Sequence, residues 1–299
     1  MNLQTLMAVE FFKLRKRMMT YVIALLTVAL IVLLYSVLWS MSGRAGGFFE
    51  QGRRYSYEDL RRGLFLEAGV PFALQIIATF GTLLAVILAA GAAGSEYAWG
   101  TVRLMATASS GRLRMMTARL IVVFVFVALI ALLAVLVALA YSAVITQTNG
   151  GSDFSFVTWA FVREQTFAFG RTLFVMAPFV ALAFAAAVVG RSTLAGAGVG
   201  LAVAFLEPLI SNLLRLGGAR WEHVPNYLID SNRDVVIAQN QLPAALQRFS
   251  FGPSPRQLSE RGANSLEEAT IVLLIWTAAF ITIAFVTYRR RDITAGTGG

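Results

Sequence analysis

The sequence predicts an all-α, polytopic membrane protein with six transmembrane helices. Three observations carry that expectation. Hydrophobic residues make up 58% of the 299 and charged residues only 14%, where a soluble domain has about 25% charged residues. The apolar residues fall in charge-free runs of spanning length. Those runs are continuous and lack the alternation of a barrel strand. In lipid a backbone amide finds no water, so a continuous apolar run satisfies its own hydrogen bonds as a helix.

A helix rises about 1.5 Å per residue and needs about 20 apolar residues to cross the hydrocarbon core. Five runs qualify without an internal charge: 21–39, 69–94, 120–145, 172–190 and 269–288. A sixth, 192–214, qualifies with Glu207 inside it. Ahead of the first run, EFFKLRKRMM is strongly basic, and Leu3, Leu6, Met7, Phe11 and Leu14 fall near one helical face. At the level of residues this fits an interfacial helix along the leaflet and a plain positive-inside anchor equally well. No small-residue cleavage site follows it, so the segment is expected to stay on the mature chain.

Placing the N-terminus in the cytoplasm assigns 1–20, 95–119, 191 and 289–299 to the inside, where twelve cations face three acids. The remaining thirteen arginines, and ten of the remaining thirteen acids, spread over long outer segments, 40–68, 146–171 and 213–266. Cations near span ends mark the cytoplasmic side, so both termini are expected there. The net charge of +9 is thus read as topology, and no nucleic-acid partner is expected. In the largest outer segment Pro225, Pro243, Pro253 and Pro255 break helices, while VVIAQNQLPAALQRF suits a short amphipathic helix resting on the membrane.

Several chemistries are excluded by residue content. No cysteine is present, which removes disulfides, thiolate metal sites and cysteine nucleophiles. His223 is the single histidine, so a paired-histidine metal site cannot form. Asp230 to Asp234, DSNRD, begins like a calcium loop, but Val235 stands where the turn needs glycine and Gln241 where a bidentate glutamate is needed. Glu267 and Glu268 adjoin the last run and read as acids placed favourably at a helix N-terminus. Gly196, Gly198 and Gly200 sit in an apolar run, where they let helices approach closely. A phosphate-gripping loop ends in Gly-Lys-Ser/Thr, and neither Lys13 nor Lys16 follows a glycine. No metal or cofactor is therefore expected in this chain, and no catalytic residue.

Between the second and third runs lies GSEYAWGTVRLMATASSGRLRMMTARLIVV. Glu96, Gly100, Thr101 and Arg103, followed by Ser110, Arg112 and Arg119, resemble the type 2 ABC exporter permease family, whose members carry E-x-x-x-G-T-x-[RK] after the second span, then a serine-arginine turn and a basic approach to the third. The N-terminal basic segment, the six runs and the terminal YRRRDI, residues 288–293, fit the same family in order. Ala108 replaces the family's usual proline and Arg119 a common lysine.

The resemblance implies an N-terminal interfacial helix, a bacterial or archaeal cytoplasmic membrane, and a homodimer or related pair of permease chains. It also implies a separate ABC ATPase subunit that carries ATP and magnesium. Residues 95–119 would be the coupling segment. Glu96 would pair with Arg103 or a cation of the ATPase, and Thr101 would cap a turn after Gly100. Glu207, next to Pro208, and Arg171 are charges expected toward the outer halves of their helices; they either line an export path, pair with each other, or snorkel to the interface beside Arg163, Glu164 and Arg215. The function expected is a permease subunit that does no chemistry itself, with a hydrophobic or amphipathic cargo. The rival reading is an autonomous secondary transporter or channel, which would put acids and broken helices at the midplane.

Overall fold

A computed structural model describes residues 2–42, 47–50, 53–56, 61, 63–98, 112–149, 154–218, 220–221, 223–240, 242 and 252–290, with the backbone alone at 47–50, 53–56, 96–98 and 112. Among the described residues the chain is helical apart from one short hairpin and its turns, and six of the helices are long and apolar enough to cross a membrane. It is a multi-pass membrane protein. The end of the bundle that carries Leu3–Lys16 and the turn at Arg191 is termed here the terminal face; the other end is the far face.

The first element, α1 (Leu3–Lys16), ends at Arg17, whose extended backbone separates it from the first span, α2 (Met18–Ser42). The Thr20 hydroxyl donates to the Leu14 carbonyl at 2.7 Å and stitches the break. A hairpin follows, β1 (Gly47–Glu50) and β2 (Arg53–Ser56), paired from Gly47↔Ser56 to Glu50↔Arg53. The second span is α3 (Leu66–Ile76), a π turn (Ile77–Gly81) and α4 (Thr82–Ala98) in one run. Pro71 lies inside α3; without an N–H it cannot donate to the turn before it. The third span is α5 (Arg112–Thr148) and the fourth α6 (Trp159–Gly190), started by Thr158, whose hydroxyl accepts from the Phe161 amide at 3.2 Å.

A tight turn joins α6 to the fifth span, α7 (Thr193–Leu216). Arg191 adopts a left-handed φ of 51°, and the Ser192 hydroxyl caps α7 by accepting from the Leu194 amide. On the far face come a 3-10 turn (Val224–Tyr227), α8 (Ile229–Ile237) and α9 (Pro255–Glu260), the last begun by a reciprocal Ser254–Gln257 capping box. The sixth span, α10 (Leu266–Arg290), starts the same way: the Ser265 hydroxyl accepts from the Glu268 amide, and the Glu268 carboxylate accepts from the Ser265 amide at 2.8 Å. The capping box gives Glu268 a specific partner at the helix end where an acid was expected.

The spans therefore reach beyond the charge-free runs at nearly every end. The largest difference is α6, which begins at Trp159 where an outer loop was expected up to residue 171. Apolar content marks only what touches lipid; a helix continues past the hydrocarbon wherever its polar residues find partners, as Arg171 does with Glu164 and Asn240. Of the amphipathic helix expected over 235–249, residues 235–237 fall in a helix, and 241 and 243–249 lie outside the described residues. The observed α8 starts six residues earlier and contains DSNRD, because i,i+3 pairing of Asp230 with Arg233 supports a helix there.

α6 and the second span form the centre, each with 67% of its most apolar window buried, while α7 has 17% and α10 22%. Phe179, Val180, Ala183 and Phe184 of α6 meet Val86, Leu88 and Ala89 of α4 in the core. The glycine series works inside one chain. A Cβ added at Gly196 would lie 2.6 Å from the Ala187 Cβ and 2.7 Å from the Ala183 carbonyl oxygen. Gly196→Leu should therefore destabilise the bundle by at least about 1–3 kcal/mol through overpacking, read as a lower unfolding temperature in detergent, whereas Gly198, with open space around its Cα, should accept alanine with no measurable change.

Candidate functional site

Two places bring polar groups together. One is the terminal face at the base of the second and third spans. α1 lies along α5, with the Phe11 and Phe126 rings 4.9 Å apart. Beside them Glu10 is buried against α5 and accepts from the Arg119 guanidinium, Nε to Oε2 at 3.2 Å, and from Lys13 at 2.8 Å. Burial raises the Glu10 pKa, but the Arg119 charge and hydrogen bonds outweigh it with help from Lys13, and the carboxyl ends below its ordinary 4.5. A depressed carboxyl contributes stability above its unfolded value and loses it as the pH falls through the folded one. The pair's contribution to holding α1 on α5 is thus present at neutral pH and is lost in acid.

Two more contacts complete this corner. The Arg17 guanidinium donates to the Gly91 carbonyl of α4 at 3.1 Å. A Cβ at Gly94 would collide with the backbone of Ser192 and Thr193, so the end of α4 rests directly on the α6–α7 turn. The helices on either side of the 95–119 segment are therefore clamped, α4 by Arg17 and the α6–α7 turn, and α5 by Glu10. Of the residues singled out in that segment, Glu96 lies in the last turn of α4 and Arg112 opens α5, both with backbone only; Gly100, Thr101, Arg103, Ala108 and Ser110 lie outside the described residues.

The other place is the far face. Glu207 and Arg171 do not pair with each other. The Glu207 carboxylate accepts from the Ile229 amide, the first of α8, so a carboxylate within α7 caps a helix whose own N-cap residue, Leu228, offers no side-chain acceptor. Arg171 donates to Asn240 Oδ1 at 2.7 Å and binds Glu164. Asn240 also donates to the Ala168 carbonyl and Thr172 hydroxyl, both at 3.3 Å, which fastens the end of α8 to α6. Both charges serve to hold α8 against the spans.

Arg233 projects from α8 between Asp230, at 2.8 Å, and Asp234, at 3.9 Å, and reaches Thr79 of the π turn at 3.5 Å. A π turn widens a helix locally and often accompanies a functional site; here Thr79 and Phe80 face a cavity of about 520 Å³ together with α7 and α8. Burial pushes the Asp234 carboxyl up to about 7, with Arg233 opposing and Asp230 adding to the shift. A carboxyl raised in the folded state contributes stability below its unfolded value, and that contribution is lost as the pH rises through the folded value. The far-face structure should then firm up on acidification from above pH ~7 toward ~4. Asp234→Asn should weaken this dependence, which the buried Asp230 carboxyl, also raised by burial, shares, measured as hydrogen exchange in α8 across that range.

Sequence reasoning missed the Glu10–Arg119 clamp, the Arg17 contact and the π turn. Glu10 had one visible signal, an isolated acid in a basic amphipathic segment; the π turn had none. Residues 47–294, from the hairpin to the end of α10, match a family described as "Protein of unknown function (DUF2705)". The chain belongs to the DUF2705 family. The DUF2705 match takes in the 95–119 segment and the whole far-face cavity, while α1 and α2 precede it. Among curated proteins none matches the chain.

Proposed function

We propose that the chain is the permease subunit of an ABC exporter, forming the translocation path and driven by ATP hydrolysis on a separate nucleotide-binding subunit. On this reading the terminal face is cytoplasmic in a bacterial or archaeal inner membrane, and two permease copies, or a related pair, meet across their lipid-facing helices. The chain performs no chemistry; ATP and magnesium sit on the partner ATPase.

The observation that carries the reading is the clamped corner around Glu10 and Arg119. A segment that transmits force must leave and re-enter the bilayer through helices that move as rigid bodies. The Glu10–Arg119 pair, the Arg17–Gly91 contact and the Gly94 approach tie α1, α4, α5 and the α6–α7 turn together at the two ends of residues 95–119. The second span then runs from this corner to the π turn, where Thr79 touches Arg233 of α8. Motion applied at the base would reach the far-face cavity along one helix.

The rival, an autonomous secondary transporter or channel, drew on Glu207 as an intramembrane acid. That carboxylate is engaged with the first amide of α8, which argues for a structural task. Reconstitution decides between the two readings: liposomes holding the permease together with its ATPase subunit should accumulate substrate with ATP, and liposomes holding the permease alone should not. Uptake by the lone chain down an ion gradient would overturn the proposal.

A further inference from the structure

The far-face cavity has a mixed lining. Its walls carry three guanidinium groups, Arg215, Arg233 and Arg261, and two carboxylates, Asp230 and Asp234, together with the apolar side chains of Phe80, Leu83 and Phe205. We propose that this cavity binds an amphiphile with an anionic head group, the head seated among the arginines and the apolar portion lying along Phe80, Leu83 and Phe205. The occupancy stands on the cavity itself; only its place on an export path rests on the permease reading.

Three features point to this chemistry. Two residues that line the cavity each hold a buried polar atom with no hydrogen-bond partner: Ser211 Oγ, in a residue 5% exposed, and Arg233 Nε. A buried N–H without a partner calls for an acceptor, and an oxyanion is an acceptor to which both a hydroxyl and a guanidinium N–H donate. Formal charge favours the same sign, since the lining cations exceed the lining acids and Arg233 already lies between both carboxylates. The apolar lining extends the ligand beyond a simple anion. Phe205 lines the cavity and is 58% exposed on a spanning helix, which gives an apolar chain a way out of the cavity toward the bilayer, and Pro208, lacking an N–H, leaves the Ala204 carbonyl on the cavity wall without its helical donor.

The test uses the full chain in phosphatidylcholine nanodiscs, without ATPase or nucleotide, titrated calorimetrically with octyl phosphate and, as controls, octanol and octyltrimethylammonium, with empty discs as the blank. Octyl phosphate should bind saturably and the two controls should not. Arg261→Gln, a change at an exposed side chain, should weaken binding about tenfold, and Asp234→Asn, which removes an opposing charge, should tighten it by a similar factor. In discs doped with phosphatidylglycerol, loss of the octyl phosphate signal assigns the head group to a membrane lipid; an unchanged signal assigns it to a single-chain amphiphile. Equal binding of all three head groups, or affinities that neither variant moves, would overturn the site. Because no ATPase is present, this result and the fate of the permease reading are separable.

Discussion

Arg119→Ala should destabilise the protein by about 2–4 kcal/mol and detach α1 from α5. Removing one partner of a buried ion pair leaves the other charge desolvated, which costs about 3–5 kcal/mol in well-buried cases; here Lys13, 2.8 Å from Glu10, offsets part of that. Glu10→Ala should also destabilise the protein, by removing the buried carboxylate to which Arg119 donates. The double variant should lose less than the two singles together, with a coupling of about 1–3 kcal/mol. Thermal unfolding in detergent measures the three, and the absence of cysteine allows a clean second readout: a cysteine pair placed across α1 and α5 should cross-link in the parent chain and fail to do so in Arg119→Ala. Additive losses would mean that the pair does not hold the corner.

Glu96→Ala and Arg103→Ala should produce the largest functional effect with little change in stability. On the permease reading these residues meet the ATPase, so the chain should reach the membrane and assemble, while ATP hydrolysis stops responding to substrate. Coupling free energies of about 1–3 kcal/mol correspond to about 5–150-fold, and the loss of transport should fall in that range. Substrate-stimulated hydrolysis against basal hydrolysis in proteoliposomes is the measurement. A fall in both rates together would indicate lost assembly, and normal coupling in both variants would remove the assignment of the 95–119 segment.

The six spans were legible because each is a run long enough to exceed any soluble helix of equal apolarity. The α6–α7 turn was legible too, since a lone Arg191 separates two such runs. Helix ends were not, because the ends lie in water and are fixed by pairings between distant residues: Arg171 with Asn240, 69 positions apart, Leu66 with the Thr146 hydroxyl, Tyr35 with the Gly69 carbonyl. Of the glycine series expected to allow close approach, Gly196 and Gly200 do so, joining α7 with α4 and α6, while Gly198 faces open space.

The candidate sites divide the same way. The 95–119 motif was visible as an ordered string of residues, while the clamp that supports it was not, since Glu10 and Arg119 lie 109 positions apart. Glu207 stands out in the sequence as a charge inside an apolar run. Its contact with the first amide of α8 does not, since no spacing rule connects α8 to α7. Arg233, the cation linking α8 to the π turn, sat within a segment examined only as a metal loop; the i,i+3 relation of Asp230 to Arg233 was the available signal for a helix.

The account rests on energy arriving through residues 95–119 from a soluble hydrolase, which requires that segment to face the cytosol. A single cysteine introduced as Thr101→Cys, in a chain that otherwise has none, reports the side directly. An impermeant maleimide should label it in inside-out vesicles and leave it untouched in right-side-out vesicles, and addition of the ATPase subunit should protect it. Labelling from the external side would contradict the account.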